Sequence, residues 1–184
     1  MNTTEQALKE CRDFTLRTGR EYGIILANDT IALRAEGTEN EVAFDHERLL
    51  LLHWSGVTPT VCHSHPDDSP FSPQDLAMAR PLGARAGLIT PDGSTFRFES
   101  SRIGNPAGGD YILSSIYNHL LQSGHYDRYT WNEGLARKAA ILLFNRNCAS
   151  RGYIEGYVES LGPNLAVESD YLARWFTPEG RTHE

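Results

Sequence analysis

Apolar and polar positions follow different rhythms in different parts of this chain. Over residues 3–19, Ala7, Leu8, Cys11, Phe14 and Leu16 fall roughly on one stripe, which predicts an amphipathic helix. Thr3 and Gln6 have the spacing of a capping box at its start. The period then shortens. Tyr22–Ala27 and Thr30–Ala35 read as two strands, with Asn28 and Asp29 as a two-residue hairpin turn. Glu41–Phe44 reads as a third short strand. Asp45 is placed to cap a helix over 46–54 that carries Leu49 to Leu52.

Thr58–His63 predicts a buried strand, with Pro59 near its start where a missing N–H is tolerated. A turn-rich stretch, 64–71, follows. Ser72 and Pro73 open a helix to about Arg80, with serine at the cap and proline at the first helical position. Ala86–Thr90 and Ser94–Phe98 form a second hairpin around Pro91-Asp92-Gly93. The glycine- and proline-rich run 103–109 reads as a linker. Beyond it, Ile112 to Leu121 and Leu135 to Leu143 repeat at helical spacing. Tyr153–Val158 reads as a strand and 166–176 as a last helix. The pattern predicts an α+β core over 1–102 and a mainly helical extension, 103–184, packed on it.

Composition narrows the class of protein. With 24 acidic and 17 basic residues the net charge is −7, a poor match for a phosphate backbone, so no nucleic-acid partner is expected. No apolar run approaches membrane-spanning length and no signal peptide is visible, so the expectation is a cytoplasmic protein without a membrane partner. Cys11, Cys62 and Cys148 are few, odd in number and far apart. They read as buried free thiols rather than a disulfide framework.

The chemistry is concentrated in residues 62–75. His63 and His65 alternate at the end of an apolar strand, so both rings can point the same way. Asp75 follows at the start of a helix. Two imidazoles and one carboxylate make a three-ligand zinc site with a position left for water. Asp67 and Asp68 read as a solvated loop pair, able to meet a basic substrate tail. Tyr126, Tyr129 and Trp131 read as core or interface aromatics. His46, His53, His119, His125 and His183 share no spacing.

His63-Ser64-His65-Pro66 followed by Ser72-Pro73-Gln74-Asp75 resembles the signature of the JAMM/MPN+ (JAB) family of zinc metalloproteases. The resemblance covers about residues 1–100. It implies a cytidine-deaminase-like mixed sheet flanked by helices, with Zn2+ held by His63, His65 and Asp75 and with Ser72 supporting the oxyanion. The family's upstream glutamate is best matched by Glu21, with Glu36, Glu39 and Glu41 as competitors. The loop between Pro66 and Ser72 is one residue shorter than in the family, and so is the gap between Glu21 and Gly23.

The activity implied is hydrolysis of a peptide or isopeptide bond in the tail or conjugate of a ubiquitin-like protein. The wording around Glu21 and Ser72 is also similar to JAB-like domains of bacterial toxin proteins, which would act on another peptide in a toxin or phage-type system. A third reading is an inactive MPN-type binding scaffold. Cupin and PHP-type uses of paired histidines need further ligands that this chain does not offer at the right spacing. A homo-oligomer is compatible with all of these readings.

Overall fold

The computed structural model describes residues 3–124, 126 and 133–175. Among these the chain is α+β: a mixed six-stranded sheet, a two-stranded ribbon and six helices. The first helix, α1 (Thr3–Thr18), leads into the hairpin of β1 (Tyr22–Ala27) and β2 (Thr30–Glu36). Asn28 and Asp29 both take positive φ, 49° and 58°, the turn that lets two twisted strands reverse in two residues. Next come α2 (His46–Trp54), β3 (Thr60–Ser64), α3 (Pro73–Leu82), β4 (Arg85–Ile89), β5 (Thr95–Phe98) and β6 (Ser100–Ser101). Then follow α4 (Pro106–Gln122), α5 (Glu133–Ser150), β7 (Ile154–Glu155), β8 (Val158–Ser160) and α6 (Pro163–Trp175).

The main sheet has the order β2-β1-β3-β4-β5-β8. Only β3 and β4 run parallel, because α3 carries the chain back between them. Alternation along the strands gives each face its own core. Ile24, Leu26 and Cys62 meet Ala7, Leu8 and Cys11 of α1 on one face. The opposite face carries Ile25 and Leu33 under α2's Leu49, then Leu88, Phe96 and Phe98 under Phe71 and α5. Gly87 lies on the α1 face, where an added Cβ would touch Leu8 at 3.4 Å.

Four expectations are corrected. Leu16 is exposed and Thr15 is buried in its place, since 7, 11 and 15 lie one above another at helical spacing. Residues 41–44 enter no ladder. The chain reverses at Gly37, where a Cβ would lie 2.2 Å from Glu41 O, and Phe44 then turns onto Gly23. The expected linker is half helix: Pro106 occupies the first turn of α4, Asn105 caps it, and Gly109 packs so closely that a Cβ would meet Pro73 Cβ at 2.7 Å. Composition suggested a spacer, but proline at a helix start and glycine at a close approach have the same signature. Tyr153–Val158 is not one strand but parts of two, turned at Gly156 with φ 65°.

Residues 103–175 share the core of the first part. β8 forms the outer strand of the main sheet beside β5. Arg146 of α5 donates through Nε to Glu159 of β8 at 3.0 Å and through Nη2 to Ser169 of α6 at 2.7 Å. Tyr126 is buried; Tyr129, Trp131, His125, His183 and residue 176 lie outside the described residues. All three cysteines are buried, and no helix among the described residues is long and apolar enough to cross a membrane.

Candidate metal centre

The centre forms where β3 runs off the sheet. Backbone pairing of β1 with β3 stops at Gly23↔His63. Beyond it Tyr22 N–H turns to the Ser64 hydroxyl at 3.1 Å, and Ser64 Oγ also bonds Thr15 Oγ at 2.6 Å. His63 and His65 therefore leave the sheet on the face opposite α1, while Ser64 between them ties the strand end to α1. Both histidines are buried, at 5% and 6% exposure.

Three side chains converge. His63 Nε2 and His65 Nε2 are 3.2 Å apart. Asp75 Oδ1 lies 3.3 Å from His63 Nε2, and Oδ2 lies 3.4 Å from His65 Nε2. An ion bound tetrahedrally at about 2.0–2.1 Å holds neighbouring ligand atoms about 3.3–3.4 Å apart. Each of these three contacts is close to that spacing, the two to Asp75 being made by different oxygens, so the Pro66–Ser72 loop brings Asp75 to the histidines. Among the described residues this is the one group of three such side chains spaced to hold a metal ion.

Each of the three side chains is held from behind. A carbonyl only accepts, so the 3.0 Å contact between His65 Nδ1 and Ser69 O places the proton on Nδ1 and leaves Nε2 for an ion. Ser69 Oγ in turn donates to Asp67 Oδ1 at 2.7 Å. The ring of His63 rests 5.8 Å from that of Phe71, which is itself packed on Phe96 and Phe98. Asp75 sits in a capping box: its N–H donates to Ser72 Oγ at 3.2 Å, and Ser72 N donates to Asp75 Oδ2 at 2.7 Å. The Ser72 hydroxyl also donates to Oδ2, at 2.7 Å. Ser72 is thus beside this cluster, and in this arrangement its proton is held by Asp75.

Glu21 stands just before β1, two residues along each strand from the last Gly23↔His63 pair and so opposite His65. Its backbone is clamped on both sides: Glu21 N donates to Thr38 O at 2.7 Å and Gly37 N donates to Glu21 O at 2.9 Å. It is 7% exposed. Burial raises its carboxyl to about 7; His65 opposes this, while Asp75, Asp67 and Glu41 add to it. The competing Glu36, Glu39 and Glu41 are exposed.

His65 and Asp75 set each other's charge. Burial alone would lower His65, but the Asp75 carboxylate outweighs it, with help from Glu21 and Asp67, and raises it to about 9. Burial would raise Asp75, yet the two histidines hold it well below the usual carboxylate range. A proton on His65 thus sits beside the Asp75 carboxylate. An ion bound at this group would have to displace it.

The loop aspartates are not a free solvated pair. Asp67 is exposed but bonded to Ser69, as above. Asp68, at φ 60°, accepts from Asp92 N–H at 3.0 Å and from Asn164 Nδ2 at 3.2 Å. Short carboxylates beside a turn satisfy backbone and neighbouring amides more often than they stay free. Sequence reasoning also missed Ser69, Gly37, Phe71 and Asn145. A serine four residues after a ligand histidine was the one local signal available. Comparison with protein-family models, with curated proteins and with solved structures found no match to this chain.

Proposed function

We propose that the protein is a JAMM-like, zinc-dependent hydrolase of peptide or isopeptide bonds, acting on the tail or conjugate of a ubiquitin-like protein. The observation that carries this reading is the convergence of His63 Nε2, His65 Nε2 and the two Asp75 carboxylate oxygens, with a buried glutamate of raised pKa close to His65 and Asp75. His63, His65 and Asp75 would hold Zn2+, which supplies a Lewis acid able to activate water and polarise a carbonyl.

The remaining work falls to side chains. Glu21, titrating near neutrality, takes a proton from the attacking water and returns it to the leaving amine. Ser72 turns its hydroxyl from Asp75 Oδ2 to the developing oxyanion; Asp75 keeps the hydrogen bond from Ser72 N–H. An extended tail would approach where the β1–β3 pairing ends, beside Glu21 and His65.

Metal analysis of the purified wild type beside His65→Ala and Asp75→Ala tests the reading. The expected result is about one zinc per wild-type chain, with none copurifying with either variant. Absence of zinc from wild type after reconstitution would overturn it.

A further inference from the structure

Asn145, on α5, reaches the ligand set through a single peptide plane. Its Nδ2 donates to Phe71 O at 2.8 Å and to Ile141 O of its own helix at 2.8 Å. Phe71 O and Ser72 N belong to one peptide group, and Ser72 N donates to Asp75 Oδ2 at 2.7 Å. A continuous line therefore runs from the amide of Asn145, through the Phe71–Ser72 peptide, to the carboxylate. Hydrogen bonds in series polarise one another, so a donor on the carbonyl strengthens the N–H at the other end. The same bond stops the peptide plane from turning, and that plane sets where Oδ2 points.

Asn145 is fully buried and its Oδ1 has no hydrogen-bond partner. A buried acceptor left open is unfavourable, and leucine, of similar shape, would fill the same space without it. Packing alone does not explain asparagine here; its two donated bonds do.

We propose that Asn145 is a positioning residue for Asp75, orienting the carboxylate through the Phe71–Ser72 peptide. The inference rests on the zinc reading above and deepens it, because it makes α5 part of the metal centre. A residue far along the chain, in a helix that carries no ligand, would tune how tightly the ion is held.

The test is a double-mutant cycle on zinc affinity, read by competition with a chromophoric chelator, in wild type, N145L, D75A and N145L/D75A. Asn145→Leu is expected to weaken zinc binding about tenfold when Asp75 is present. In the Asp75→Ala background, where His63 and His65 leave a weak but titratable site, it should change binding by less than about twofold. The visible spectrum of the Co2+-loaded protein should shift in N145L and not between D75A and N145L/D75A.

Equal weakening in both backgrounds would assign Asn145 a general structural role and overturn the proposal, as would unchanged affinity in N145L. Should N145L fail to fold, Asn145→Ser carries the same cycle with a smaller side chain. Failure of wild type to bind zinc overturns the metal reading; zinc binding that ignores Asn145 overturns this inference alone.

Discussion

The two parts of the molecule carry information in opposite ways. Residues 60–75 hold every candidate ligand within one strand, one loop and one helical turn. The described residues of 103–175 hold none, yet they supply the amide on Phe71 O, the amide on Asp68 and the outer strand of the sheet. The first part presents donor atoms; the second restrains the backbone that carries them. A ligand triangle needs both, because three soft torsions on a free loop would not keep atoms about 3.3 Å apart without support.

The sharpest way to separate chemistry from support is Glu21→Gln. Turnover should fall by about 10²–10⁴-fold while zinc content stays at the wild-type level. Zinc content and rate measured on one preparation check this; a rate within a few-fold of wild type would remove Glu21 from the mechanism. Phe71→Ala acts where the two parts meet. The ring touches His63, Phe96 and Phe98 and is fully buried, so the variant should lose about 3–5 kcal/mol in urea unfolding and bind zinc more weakly.

The pH dependence of the metal-free protein is a subtler probe of the ligand part. Folded Glu21 keeps its proton to about 7 against an ordinary 4.5, so stability falls as pH rises through that window. Folded His65 keeps its proton to about 9 against 6.5, so stability falls again from 6.5 to 9. Asp75 has the opposite sense: the stability it adds above 3.8 is lost as acid protonates it. Thermal unfolding of metal-free protein should thus show a maximum at about pH 4, between the Asp75 and Glu21 windows, and Glu21→Gln should flatten the slope between 4.5 and 7. Added zinc should reverse the alkaline limb, since deprotonated ligands bind it better.

Asn164→Ala is the mildest case. It removes one bond at the surface, to Asp68 Oδ2 at 3.2 Å, and should cost about 1 kcal/mol or less. A larger loss, accompanied by weaker zinc binding, would show that the second part supports the ligand loop at more than the Phe71 carbonyl.

Much of this was legible without coordinates. Local signals were sufficient for the hairpin at Asn28-Asp29, the Asp45 cap, the Ser72-Pro73 helix start and the alternation of His63 and His65. Each depends on residues within a few positions of one another. Reading failed where local chemistry is ambiguous. Asp67 and Asp68 look solvated by type, and only the approach of Ser69, Asp92 and Asn164 shows what they bind. Pro106 and Gly109 look like a spacer until Pro73 and Phe144 come against the glycine. Thr15 takes the buried place of Leu16 because Ser64 supplies its partner.

By itself the sequence determined which atoms are available: two alternating imidazoles, a carboxylate at a helix cap and a glutamate before a strand. Periodicity and capping are short-range physics, so a linear reading reaches them. The tertiary structure decided that these atoms meet in one triangle, that Glu21 and not Glu36, Glu39 or Glu41 is buried against it, and that Asn145 holds the Phe71–Ser72 peptide. Those outcomes depend on contacts between residues as many as 74 positions apart, such as Asn145 and Phe71, and on the removal of water around them. Neither is encoded in any one stretch of chain; both arise when the two faces of the sheet are covered and the dielectric around the site falls.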